Sequence, residues 1–176
     1  FYKKEKTIMQ KELITAFEGV RLIFKNFKGE RSTYNTEGSR SFHISIDREL
    51  AAELVELGYN VKYPKPNPEI DPEQDTRLPR LEITVSSDHD FIKPNVRIFM
   101  VDGDNITRIP NNDLKQIDML DSMALGECDI QVNPSRWVMD KGTSYERSGI
   151  KCYLANVYLT IDKRYVDVFA SKYGTH

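Results

Sequence analysis

The run "IKCYLANVYLTID", residues 150–162, constrains this chain more than any other segment. It is the longest strand-like stretch in the sequence. Every extended residue presents a backbone donor and acceptor that need partners. A long final strand therefore suits a curved barrel, where it can pair with two neighbours. It follows "SRWVMD", 135–140, and a polar loop, "KGTSYERSG", 141–149, so the two runs read as a hairpin. That hairpin holds the only tryptophan, Trp137, and basic residues spaced along both arms.

The rest of the chain repeats short strands with turn chemistry between them. "GVRLIFKNF", 19–27, alternates, which predicts Val20, Leu22 and Phe24 toward the core and Arg21, Ile23, Lys25 and Phe27 on a basic outer face. "KGERSTYNTEGSR", 28–40, has two glycines and many small polar residues and reads as a flexible loop. "SFHISI", 41–46, alternates Phe42, Ile44 and Ile46 against Ser41, His43 and Ser45. Asp47 is a natural N-cap for a helix carrying Leu50, Leu54 and Leu57, stopped by Gly58. A short strand spans 59–65, and a Pro-rich acidic loop runs to residue 79. Strands follow at 80–86, 95–101 and 105–109, the last two flanking the hairpin signal Asp102-Gly103-Asp104. A capped helix over 111–123 carries Leu114, Ile117 and Leu120, and "GECDIQVNP", 126–134, leads into the final hairpin.

This pattern predicts one domain over 1–176: an arm or short helix at 1–18, a barrel at 19–162 and a tail at 163–176. The expected fold class is mainly β with two short helices, an OB-fold-like barrel with insertions. The chain opens on Phe1 rather than Met, which points to trimming or loss of a leading residue. No secretory leader is legible, and no apolar run approaches the ~18 residues of a membrane span. Cys128 and Cys152 lack metal-ligand spacing and sit in apolar runs, as buried reduced thiols do.

Catalytic patterns are missing from the sequence. It contains no Gly-rich phosphate loop, no Gly-x-Ser-x-Gly and no His-Glu-x-x-His. "SSDHDF" groups Asp88, His89 and Asp90 on a loop, where consecutive residues are solvated rather than metal-binding. "DGDN", 102–105, lacks the later glycine and glutamate of a calcium loop. His43 has no carboxylate or nucleophile that can be placed beside it. The expectation is no enzyme activity, no cofactor and no metal.

Basic residues interleaved with aromatics are better represented. Arg21, Lys25, Phe27, Lys28, Arg31, Tyr34 and Arg40 crowd the first hairpin. Lys62, Tyr63 and Lys65 follow the helix; Arg136, Trp137, Lys141, Tyr145, Arg147, Lys151 and Tyr153 fill the last hairpin. Carboxylates concentrate elsewhere, on Glu49, Glu53 and Glu56 of the helix and in the proline loop. A net charge of −2 exerts no global pull on nucleic acid, so a binding face must arise by segregating charge. Single-strand binders need both residue types, cations along phosphates and flat rings against unpaired bases.

The combination "GVRLIFKNF", "YNTEGSRSFHISID", "LVELGYNVKYPKP" and "WVMDKGTSYERSGIKCYLANVYLTID" resembles the phage-type single-stranded DNA-binding proteins built on an oligonucleotide-binding barrel. The likeness runs over about 19–162. It implies binding and protection of single strands during phage replication or recombination, without catalysis, in the cytoplasm of a bacterial host. Single-stranded DNA is then the partner, with no membrane, and with self-association or phage replication proteins as further contacts. On this reading Arg21, Lys25 and Lys151 meet phosphates, while Phe27, Tyr34, Trp137 and Tyr153 stack bases. Lys28, Arg31, Arg40, Lys62, Arg136 and Lys141 complete the face. A lone Trp in a strand fits a core equally well. The tail "ASKYGTH" is not acidic, which puts the recruitment of replication partners in doubt. The rival expectation is a phage module that holds a protein partner on the same barrel, a virion-associated protein or an inhibitor of host defence.

Overall fold

A computed structural model describes residues 12–88 and 90–162. The arm up to residue 11, the tail 163–176 and His89 lie outside the described residues.

The long final run is strand β9, Arg147–Thr160, paired antiparallel with β8, Cys128–Met139. Ile150, Cys152, Leu154, Val157 and Leu159 of β9 are buried. The alternation slips once, because Val132 faces Leu154 while Gln131 faces Asn156. One extra residue at that bulge changes the side on which every later residue points. The other edge of β9 serves two parallel partners in turn. β5, Arg80–Ser86, pairs at Ile83–Cys152 and Thr84–Tyr153; β6, Arg97–Asp102, takes over from Arg97–Asn156 to Val101–Thr160. β6 then turns through Gly103 into β7, Asn105–Ile109, as the Asp-Gly signal predicts.

The barrel comes from the start of the chain. β1, Ala16–Val20, pairs with β8, and β2, Leu22–Asn26, pairs with β3, Arg40–Ser45, which pairs with β5. Only Arg21 separates β1 from β2, so one bent segment joins both ends of the β1-β8-β9-β5-β3-β2 sheet. With β1–β2 counted as one strand, the order is first, second, third, fifth, fourth and back to the first. The third and fifth strands are parallel. This is the path of a partly open OB barrel, and the expected fold class holds. The bend needs Gly19, whose φ of +62° few side chains adopt; its N–H donates to Asp129 Oδ1 at 2.9 Å.

β2 departs from the sequence pattern. A bulge lies between Ile23 and Asn26, with Phe24 at φ +49°. Val20 and Leu22 pack on the core and Arg21 is exposed, as expected, but from the bulge onward the expected faces exchange. Phe24 stands 65% exposed, whereas Phe27 is wholly buried and stacks on Phe42, with ring centroids 5.3 Å apart.

Helix α1, Arg48–Leu57, has the predicted caps: Asp47 accepts from the Leu50 N–H, and Gly58 closes it at φ +104°. It buries Ala51 and Leu54 and leaves Leu50 and Leu57 half-covered. Only Val61–Lys62, β4, is a strand in the segment expected over 59–65. The second helix, α2, spans Leu114–Met119 and ends in a 3-10 turn, Leu120–Ser122. The core gathers Phe27, Phe42, Ile44, Leu54, Leu81, Ile83, Ile98, Ile109, Ile117 and Leu120 with the inner face of β9. Both cysteines are free and buried, and burial pushes the Cys152 thiol up to about 12.

Candidate nucleic-acid interface

Because β-strands alternate, burying one face of this sheet presents the other. Lys151 and Tyr153 point outward from β9, opposite Ser135 and Asn133 of β8. Next along the hairpin, Trp137 faces Gly149. A Cβ on residue 149 would lie 2.8 Å from Trp137 Cζ2, so glycine is what lets the ring lie against β9. Across the sheet, Thr84 sits beside Tyr153, His43 faces Glu82, and Ser41 faces Thr84. Asn60, Lys62, Glu82, Trp137 and Lys151 rim a cleft of about 260 Å³ floored by Leu81, Ile150 and Cys152. The Lys151 ammonium lies 5.3 Å from the Tyr153 ring centroid.

The electrostatics are organised around one carboxylate. Glu82 Oε2 is 3.4 Å from His43 Nε2, the partner that sequence reasoning could not supply. The His43 hydrogen bond holds the Glu82 carboxyl below its usual range, against burial, with smaller help from Lys62 and Lys151. The sheet face is thus polar and locally neutralised, with the two lysines at its rim.

Lys62, Trp137, Lys151 and Tyr153 are the predicted residues that converge. Others frame them. The loop between β2 and β3 carries Lys28, Arg31 and the fully exposed Tyr34; the loop between β8 and β9 carries Lys141 and Tyr145. In an OB barrel these are the two loops that flank the ligand face. The β2–β3 loop reads as flexible in the sequence, yet it is internally bonded. Asn35 Nδ2 donates to the carbonyls of Glu30, Thr36 and Ser39, and the Gly38 N–H donates to Gly29 O. Lys28 pairs with Glu30 at 3.1 Å.

The remaining candidates lie elsewhere. Phe27 is core and cannot stack a base. Lys25 turns inward, and its Nζ donates to the Leu120 and Met123 carbonyls, closing the 3-10 turn. Burial pulls its ammonium below the usual lysine range, against the charge of Asp121. Arg40 is buried, with Nη1 3.4 Å from both Ser86 Oγ and Gly38 O. Arg136 precedes Trp137 and faces Ile150, so it leaves from the opposite side of the hairpin. Arg21 is exposed at the bend between β1 and β2.

Two outer-face residues escape the sequence pattern, Phe24 and Arg80. Phe24 meets His43 edge-on at 5.6 Å, and Arg80 Cζ lies 5.2 Å from its centroid. No group of three or more acidic, His or Cys residues among the described residues could hold a metal ion. No helix among them is long and apolar enough to cross a membrane.

No curated protein sequence matches the chain. Among solved structures it is similar to the single-stranded DNA-binding protein of bacteriophage Enc34 in a C-terminally truncated form, at 12% identity over 84% of each chain and a TM-score of 0.49. It is also similar to that phage protein in complex with single-stranded DNA, at 12% identity over 84% of this chain and 85% of the other, with a TM-score of 0.43. Likeness this loose gives no residue correspondence. A family model described as "Putative phage ssDNA-binding domain" matches residues 4–174, nearly the whole sequence. The chain belongs to this family of phage single-stranded DNA-binding domains.

Proposed function

We propose that this protein lays single-stranded DNA across the outer face of β3, β5, β9 and β8, largely without reading its sequence. Lys62 and Lys151 follow phosphates, and Trp137 and Tyr153 stack bases for about 1–3 kcal/mol each. Arg31 and Tyr34 on one loop, with Lys141 and Tyr145 on the other, bound the path. Ser41, Ser135 and Asn133 supply hydroxyls and an amide between the rings, groups that tolerate any base edge. The role is to cover and protect single strands during phage DNA replication or recombination in the host cytoplasm, without catalysis.

The observation that carries this reading is the meeting of Lys62, Trp137 and Lys151 around one cleft, with the Tyr153 ring beside Lys151. They come from β4, β8 and β9, segments far apart in the chain, yet they share one face. A structural role for one of them explains nothing about the other three.

The test is quenching of intrinsic fluorescence by oligo-dT and by duplex DNA of equal length, at two salt concentrations. Oligo-dT quenches Trp137 and the duplex does not. Affinity falls with salt by ~0.7 log unit per log unit for each phosphate neutralised. Equal binding of duplex and single strand overturns the stacking part of the reading, and no salt dependence overturns the phosphate part.

A further inference from the structure

Phe24 is an expensive residue for its place. Its φ of +49° lies in the left-handed region, uncommon outside glycine and costing about 1–3 kcal/mol. The bulge that imposes this conformation turns a large apolar ring out of the core, leaving it 65% exposed. Folding alone favours the reverse. The ring is nonetheless held in one pose, with the His43 imidazole against it edge-on and the Arg80 guanidinium 5.2 Å from its centroid. Arg80 has no carboxylate partner among the described residues. Strain, exposure and fixed orientation of an aromatic ring coincide on the outer face that bears His43 and Arg80.

We propose that Phe24 is a second base-stacking platform, and that Arg80 takes the phosphate beside it. This rests on the single-strand reading above. Phe24 sits on β2 and Trp137 on β8, with β3, β5 and β9 between them. Four strand spacings of ~4.8 Å make a path of roughly 19 Å between the two strands, followed along the curved outer surface of the sheet. The DNA therefore runs transverse to the strands, anchored by a ring at each side, and passes over the His43–Glu82 pair midway.

The experiment uses the full chain and oligo-dT, with Phe24→Ala, Phe24→Gly, Phe24→Trp in a Trp137→Phe background, and Arg80→Ala. Phe24→Ala weakens oligo-dT binding about fivefold to a hundredfold, the range of one lost stack, with an unchanged salt slope. Phe24→Gly weakens binding likewise without lowering the melting temperature, because glycine removes the φ strain. Arg80→Ala lowers the salt slope by ~0.7. In the double variant, oligo-dT quenches the indole that Phe24→Trp introduces. Full affinity in Phe24→Ala, or an unquenched indole in the double variant, overturns the platform while the wild type still binds. Failure of the wild type to bind oligo-dT overturns the function itself.

Discussion

The first and last hairpins of this barrel are alike in composition and opposite in use. Each mixes basic residues with aromatic ones. In β8–β9 the pairing runs without a slip from Val132 to Met139, so Ser135 and Trp137 share the outer face with Lys151 and Tyr153. In β2–β3 a bulge intervenes, and Lys25, Phe27 and Arg40 are drawn into the fold. The lesson is that charge and aromaticity propose a binding face, while register decides it. The ring that the strands of the first hairpin display is Phe24, which alternation assigns to the core.

Substitutions can break or sharpen this contrast. The largest effect falls on Phe27→Ala, which empties a fully buried site stacked on Phe42 and costs about 3–5 kcal/mol of stability. Thermal denaturation reads it directly; a near-normal melting temperature with lost DNA binding would put Phe27 on the wrong side of the sheet. Trp137→Ala comes next, lowering oligo-dT affinity by about 1–3 kcal/mol with a smaller change in melting temperature. Gly149→Ala is its gentler companion, since the added Cβ pushes the Trp137 ring aside by touching Cζ2. Titrations of both variants should rank Trp137→Ala as the weaker binder, and an unaffected Gly149→Ala would mean the ring's pose is immaterial.

Lys25→Met leaves the Leu120 and Met123 carbonyls without their ammonium donor and destabilises by about 1–3 kcal/mol. Its salt slope for oligo-dT matches the wild type; a shallower slope would return Lys25 to the phosphate path. The smallest effect concerns pH. Glu82 is depressed below its ordinary value near 4.5 by His43. Its contribution is fully present above the unfolded value and disappears as pH falls through the lower folded one. Melting curves between neutral pH and pH 3 should therefore show part of the acid loss in the wild type and not in Glu82→Gln; identical profiles would deny the pair any role.

Much of this was legible in the residues. Asp47 and Gly58 bound α1 because capping chemistry is local, and Asp102-Gly103 marks its hairpin for the same reason. The final hairpin could be read because β8 and β9 alternate cleanly near the loop. The first strand could not. Arg21 and Lys25 mark one face of the run as outer although its Ile23 and Phe27 are as apolar as Leu22 and Phe24, and nothing local marks the extra residue that exchanges Phe24 and Phe27. The partner of His43 was hidden for another reason. Glu82 is far along the chain from it, and only the β3–β5 register brings the two side by side. Arg21 and Lys25, close in sequence, part company: Arg21 stays exposed at the bend after Gly19, and Lys25, beyond Phe24 in the bulge, turns inward.

The most direct measurement is the salt dependence of oligo-dT affinity for the wild type, Lys62→Ala/Lys151→Ala and Lys25→Ala. The double variant should lose ~1.4 from the log–log slope, two phosphates' worth, and keep its melting temperature. Lys25→Ala should keep the slope and lose stability. The opposite assignment, with the slope following Lys25 and indifferent to Lys62 and Lys151, would contradict the placement of DNA on this face.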